Sequence, residues 1–182
     1  VTGKVIEAIE KCKVISKTGI GVNNIDVPVA TRRGIKVTNV PDYCIEEVSD
    51  HALAFILSLA RKISFLDSEV KKGNWSFEGQ RPMYRLGGKI LGLVGLGRIA
   101  RLLAEKVKPL KLNVLVYDPF VSAEAIEEIG GKKVSLEELL KEADFVSLHA
   151  PLTEETRGII GEKAFEMMKP TACLVNTSRG PL

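Results

Sequence analysis

"KILGLVGLGRIARLLAEKV" (residues 89–107) joins an apolar run, a glycine-rich turn and an amphipathic helix with nothing between them. Ile90–Val94 reads as a buried strand, and Ile99, Leu102, Leu103 and Val107 recur at helical spacing. Gly95 permits the tight turn, Gly97 lets the backbone approach a pyrophosphate, and Ala100 is small enough for helix and strand to pack. The helix start, at Arg98 and Ile99, offers free N–H groups and a partial positive charge to phosphate oxygens. A glycine-rich turn could also be a plain helix-capping turn. The context argues otherwise, because the next strand, "NVLVYDPF" (113–120), ends in Asp118, about 20 residues beyond Gly97 as a dinucleotide fold requires. A carboxylate there accepts bonds from both ribose hydroxyls of NAD and repels the 2′-phosphate of NADP, with no following arginine to compensate. The pattern predicts a dinucleotide site that prefers NAD.

Outward from that stretch, strands and helices alternate. Lys13–Ser16, Lys36–Val40, Ile90–Val94, Val114–Tyr117, Phe145–Leu148 and Cys173–Asn176 read as short buried strands. Strands apolar on both faces and separated by helices predict an α/β fold, a doubly wound parallel sheet covered on both sides. Ser135 with Glu138 forms a capping box, and Pro109 and Pro170 each follow a helical stretch. Pro41 is a candidate hinge. After it, Glu46–Lys62 predicts a long helix, apolar nearly all round from Ala52 to Leu59 and so buried on several sides, between domains or against a second subunit. Residues 64–88 carry Gly73, Trp75, Gly79, Pro82, Gly87 and Gly88 with little periodicity, which predicts an arm or extended loop. Trp75, Phe77 and Tyr84 read as aromatics packed beneath that arm, with a partner surface as the alternative.

Composition sets the outer bounds. The chain has 182 residues, 45% hydrophobic and 27% charged, as in globular proteins and unlike disordered ones. A net charge of +3, with no basic block longer than a pair, argues against nucleic acid as a direct partner. The apolar stretch Ala52–Ala60 is too short to span a bilayer, so no membrane partner is expected. Cys12, Cys44 and Cys173 are few and scattered. They predict reduced thiols in a cytoplasmic protein and no metal site.

Further motifs carry a resemblance. "TGIGVNNID" (18–26), "GIKVTNVPDYCIEEVSDHALAFILSLAR" (34–61), "LGLVGLGRIA", "VYDPF", "SLHAPLTEETRGII" (147–160) and "LVNTSRG" (174–180) stand in order along the whole chain. Together they resemble the D-isomer-specific 2-hydroxyacid dehydrogenases, the group that includes phosphoglycerate dehydrogenase and the C-terminal-binding-protein corepressors. "NVPDYC" and "YDP" lean toward the branch with the corepressors. The resemblance implies a Rossmann domain over 42–182, incomplete at its C-terminal end. Ahead of it, 1–41 would be the C-terminal part of a flavodoxin-like substrate domain.

The resemblance also assigns roles. Arg179 would hold a 2-keto acid, its planar guanidinium forking onto the carboxylate and polarising the keto oxygen; without the family it would read as a solvated loop arginine. Ile20 and Gly21 would bind the substrate carboxylate through backbone N–H groups, although a strand-to-helix turn needs glycines equally. Asn23 stands where an aspartate is common. Ala150 and Pro151 would wall the adenine side, and Thr177 and Ser178 would lie beside the nicotinamide, mainly through backbone; His149, in the cofactor-side loop, and Arg179 would also bind the cofactor.

The family's acid–base pair, a histidine backed by a glutamate, lies beyond its arginine and has no counterpart before Leu182. His51, in the apolar helix, reads as a packed or interface histidine, and neither it nor His149 as the general acid. The expected activity is NAD-dependent interconversion of a small 2-keto acid and a D-2-hydroxy acid, the chain by itself being inactive. The alternatives are an NAD(H)-responsive dimeric scaffold of the corepressor kind, or a cofactor-binding module without turnover. The family pairs through the region of 46–62 and 64–88, which implies a homodimer.

Overall fold

The computed structural model describes residues 1–76 and 83–182. Contacts divide the chain into two compact units, Val1–Ile45 and Glu46–Leu182. In the first, α1 (Gly3–Ala8) and α2 (Val27–Arg32) accompany two parallel strands, β1 (Val14–Ser16) and β2 (Lys36–Thr38). Asp26 caps α2, its carboxylate accepting from Val29 N–H at 3.1 Å, and Pro28 occupies the first turn, where a missing N–H costs nothing. Arg33 closes the other end of the unit by donating to the carbonyls of Glu7 (2.6 Å) and Ile9 (3.0 Å) at the end of α1. Ile6, Ile25, Val29, Ala30 and Ile35 form the core between these elements.

The second unit begins with the long helix α3 (Ile45–Ala60) and α4 (Ile63–Lys71). Five strands follow: β3 (Ile90–Val94), β4 (Asn113–Tyr117), β5 (Gly131–Lys133), β6 (Phe145–Leu148) and β7 (Cys173–Asn176). They lie in the order β5-β4-β3-β6-β7, every neighbouring pair parallel. The chain steps outward from β3 through β4 to β5, then returns across the sheet to β6. The strand order therefore reverses between β3 and β6, and the crevice at their C-terminal ends is where such sheets bind ligands.

Both faces of the sheet are covered, as a parallel sheet requires. Leu91, Leu93, Val114, Val116 and Phe145 face one layer, with Ala52 and Ile56 of α3 and Ala100, Leu103 and Val107 of α5 (Arg98–Val107). Val94, Leu115, Val146 and Leu148 face the other, with Leu139 and Leu140 of α7 (Leu136–Glu142) and Ala164 of α8 (Glu162–Met167). Between β4 and β5 lies the short α6 (Ala123–Glu127). Leu103 has no exposed surface, and its truncation to alanine belongs to the class that costs about 2–5 kcal/mol. Gly92 shows how closely the layers press, because a Cβ there would stand 2.5 Å from Leu139 Cδ2.

Two polar ties fix the helices and strand starts. Lys106 of α5 donates to Glu46 (2.7 Å), Ser49 (2.8 Å) and Asp50 (2.6 Å) in the first turns of α3. Burial opposes its charge, but the hydrogen bonds to Asp50 and Glu46 outweigh that and hold its pKa above the ordinary lysine value. At the N-terminal edge of the sheet Asp144 accepts from Lys89 (3.0 Å) and from Ile90 N–H (2.9 Å), with Lys169 at 3.4 Å. Its burial would raise its pKa; the Ile90 and Lys89 bonds reverse that and hold it below the usual aspartate value.

Several elements differ from the sequence reading. The strand β5 is unforeseen because its residues, Gly-Lys-Lys, lack apolar character; it is a lysine-bearing sheet edge. The stretch expected to be a structureless arm opens with the helix α4, whose weak propensity signals sit beside Lys62 in the left-handed conformation. Helix α3 is not buried on several sides: Ser49, Ala52 and Ile56 are buried, while Phe55 and Leu59 are exposed. His51 is likewise exposed, its ring set edge-on to Phe55 at 4.4 Å. Trp75 is 86% exposed and not packed; Phe77 lies outside the described residues. Among those residues, no helix is long and apolar enough to cross a membrane.

Candidate functional site

The chain leaves β3 through Gly95, whose φ of +89° favours glycine. A Cβ at Gly95 would meet Ala150 N at 2.7 Å and Ala150 Cα at 2.9 Å, backbone that cannot yield. Gly95 is thus demanded by the protein itself. Gly97 is different, since a Cβ there would meet nothing within 4 Å. Its φ of −75° and ψ of −171° suit any residue, and it caps α5 without a side chain. Arg98 and Ile99 open α5, and Ala100 is wholly buried against the sheet.

Beside this turn is a cleft of ≈ 430 Å³, bordered by Gly95, Asp118, Pro119, Phe120, Ala150 and Pro151 among others. Asp118 Oδ2 accepts from Leu96 N–H at 2.8 Å, and Oδ1 accepts from Phe120 N–H at 2.9 Å. Each carboxylate oxygen keeps a further lone pair for a ligand hydroxyl. On the opposite side, Thr156 Oγ1 donates to the Pro151 carbonyl at 2.6 Å and fixes the loop after β6.

His149 follows β6 directly, with its Nε2 2.8 Å from the hydroxyl of the fully buried Ser147. Burial lowers its pKa to about 4, so at neutral pH roughly one ring in a thousand carries the second proton. A group in that state is no reservoir of protons for catalysis.

Past β7, Asn176 organises the turn. Its Oδ1 accepts from Ser178 N–H (2.9 Å) and its Nδ2 donates to the Arg179 carbonyl (2.8 Å). The exposed guanidinium of Arg179 donates to the Ser178 carbonyl at 2.8 Å. Thr177 Oγ1 is buried and has no hydrogen-bond partner among the described residues.

In the first unit, Val40 N–H donates to the Gly19 carbonyl (3.1 Å) and Asn39 Nδ2 to the Ile20 carbonyl (2.8 Å). In a planar trans peptide the N–H points away from the preceding carbonyl. Tying those two carbonyls therefore turns the N–H groups of Ile20 and Gly21 away from the end of β2. Among the described residues neither N–H has a backbone acceptor.

The sequence pattern described as "D-isomer specific 2-hydroxyacid dehydrogenase, NAD binding domain" matches residues 53–182. This chain belongs to the D-isomer specific 2-hydroxyacid dehydrogenase family. It is 45% identical to a glyoxylate reductase of Thermococcus litoralis, over 97% of this chain and 55% of that protein. It is 44% identical to a D-3-phosphoglycerate dehydrogenase of Archaeoglobus fulgidus, over 99% of this chain and 34% of that protein. The D-lactate dehydrogenase of Aquifex aeolicus, solved with NAD and lactic acid, superposes with a TM-score of 0.90 at 34% identity, over all of this chain and 54% of that one. The chain thus spans about half the length of the glyoxylate reductase and a third of that of the phosphoglycerate dehydrogenase.

The cofactor of this family domain is NAD, and the residues fit it. Gly97 is bare where the protein has no need of bareness, the cleft beside Asp118 is open, and α5 begins at the turn. Gly95, Asp118, Ala150 and Pro151 come together around one cleft; Thr177, Ser178 and Arg179 stand at the end of β7. Ile20 and Gly21 belong to the other unit. Asn39 escaped the sequence reading. It stands just past the end of β2, two residues before Pro41, and nothing in the string shows its side chain reaching back to Ile20.

Two outcomes follow from this geometry. Gly95→Ala should lower the melting temperature of the cofactor-free chain markedly, whereas Gly97→Ala should leave it within a degree or two and abolish the stabilisation by NADH; equal melting of the two variants would contradict the assignment. For His149, the unfolded chain takes up a proton below its ordinary pKa of 6.5 while the folded chain resists until about 4. Stability should therefore fall as pH drops through that window, by at most about 3 kcal/mol. Denaturant melts at pH 7 and pH 4.5 should show a smaller loss in His149→Gln than in the parent.

Proposed function

We infer that this chain is the nucleotide-binding core of an NAD-dependent oxidoreductase that interconverts a small 2-keto acid and its D-2-hydroxy acid. Asp118 carries the reading, being a carboxylate on the rim of an open cleft whose described lining residues include no lysine or arginine to accept a 2′-phosphate. The glycine turn and the start of α5 bind the pyrophosphate, with Arg98 and Ile99 at the helix entrance. Ala150 and Pro151 wall the adenine side, and Thr177 and Ser178 flank the nicotinamide. When bound, the cofactor supplies or accepts the hydride at the substrate's C2.

Arg179 holds the substrate carboxylate in a fork and polarises the keto oxygen, where negative charge develops. Ile20 and Gly21 offer two N–H groups to a carboxylate, their carbonyl sides tied back by Asn39 and Val40. His149 stays neutral and shapes the cofactor side. The domain boundary of this reading is the hinge near Pro41, with the substrate domain before it and the nucleotide domain after it.

The test begins with NADH. It should raise the melting temperature of the chain by several degrees at saturating concentration, and NADPH by less. Asp118→Asn keeps an acceptor for Leu96 and loses the charge, so NADH should weaken about tenfold and the preference over NADPH should shrink. A parent chain that NADH does not stabilise would refute the cofactor role. Oxidation of NADH with a panel of short 2-keto acids, glyoxylate included, is then measured on the full-length product of the gene. Silence on the whole panel would leave binding without turnover.

A second copy is the proposed partner for the face built by α3 and α4. Phe55 and Leu59 of α3, Ile63, Phe65 and Val70 of α4, and Trp75 beyond it all expose large apolar side chains, a local excess that suits a covered surface. An apolar patch meets its own copy without charge repulsion, as a two-fold contact requires. Sedimentation should give a dimer that Leu59→Lys splits; a monomeric parent at micromolar concentration would sink the proposal.

A further inference from the structure

A second cavity, of ≈ 230 Å³, lies within the second unit at the end of the sheet opposite the glycine turn. Phe145 and Cys173, which border it, are the first residues of β6 and β7, and Lys89 directly precedes β3. Leu86 and the last turn of α3, at Leu59 and Ala60, complete its apolar lining. It shares no lining residue with the cleft at Asp118, and Arg179 stands beyond the other end of β7. No residue given a role toward cofactor or substrate lines this cavity.

Its charged groups are unequal. Lys62, Arg85 and Lys89 line it, and Asp144 is the acid among its lining residues. That carboxylate is already answered, since it accepts from Lys89 at 3.0 Å and from Ile90 N–H at 2.9 Å, with Lys169 3.4 Å away. Positive charge is left over, and Arg85 carries the clearest share of it. Among the described residues its exposed guanidinium has no hydrogen-bond or ion-pair partner. A concave site with apolar walls and a few polar groups is the usual form of a small-molecule pocket. Surplus positive charge selects an anion, and a guanidinium holds a carboxylate through two parallel bonds. The volume falls below the ~300–1,000 Å³ of pockets for drug-sized ligands, which limits the apolar part to about one ring. An aromatic ring is favoured over an aliphatic one, because Lys89, already 4.9 Å from the Tyr84 ring centroid, offers its charge to a ring face. We propose that this cavity is a separate binding site for a small aromatic carboxylate, with the carboxylate on Arg85 and the ring against Phe145 and Leu86.

Phenylacetate is the probe, titrated by calorimetry into the full-length product of the gene. It should bind, and Arg85→Glu should weaken it about tenfold, as loss of a charged two-bond contact implies. Arg85→Lys should weaken it less, and neither change should move the affinity for NADH. Phenylacetamide has the same shape without the charge and should not bind. Arg179→Gln separates this site from the substrate arginine, and phenylacetate should bind that variant as it binds the parent. The proposal is overturned by a parent that takes up no phenylacetate, by an unchanged affinity in Arg85→Glu, or by equal binding of phenylacetamide. Loss of binding in Arg179→Gln would put the probe at the substrate arginine and overturn it too. Binding that emerges only on dilution to the monomer would show a second copy filling the cavity, which also overturns it.

Discussion

Three strand exits are sewn together at the top of the sheet. Gly95 N–H donates to the Tyr117 carbonyl and His149 N–H donates to the Val94 carbonyl, each at 2.8 Å. The pairing thus continues past the strand ends, and the backbone of Ala150 comes so near Gly95 that a Cβ has no room. Everything functional is placed by that closeness. It sets where α5 begins, where the carboxylate of Asp118 meets the turn, and how the loop after β6 forms the second wall of the cleft. Loosening the approach would move all three together.

The two edges of the sheet divide the work. At the C-terminal edge lie open N–H groups, a bare glycine, an unpaired hydroxyl and an exposed arginine, none of which adds to stability. At the N-terminal edge Asp144 is answered by two lysines and a backbone N–H. Cys173, nearby at the start of β7, has its thiol pKa pushed up by burial, which makes it a weak nucleophile. Conformational fixity is concentrated at one edge and cofactor binding at the other.

The central strands and the glycine turn were legible in the sequence because β3, β4 and β6 are buried on both faces and their residues say so. The cap at Ser135 was legible as well, and its hydroxyl accepts from Glu138 N–H at 3.1 Å. What escaped depends on neighbours rather than on local pattern. β5 is a strand because β4 pairs with it, and Gly-Lys-Lys carries no period of its own. How much of α3 a partner covers is not written in its own apolar pattern, because a helix apolar all round looks the same whether or not another surface lies against it. The Gly95 and Gly97 positions read alike as letters, yet one is imposed by the chain and the other is free of it. Asn39 matters through a carbonyl nineteen positions away, which is no property of local spacing.

Asp118 bears on how readily such a domain could change its nucleotide over evolutionary time. The same carboxylate proposed to discriminate at the ribose also holds the Leu96 N–H in the turn after β3. Replacing it with a small neutral residue to admit an extra phosphate would release that N–H and slacken the turn in one step. A lineage drifting toward the other nucleotide must first acquire a substitute acceptor for Leu96. Coupling selectivity to a structural bond makes the preference self-preserving, because the intermediate sequences fold less well before they bind anything new.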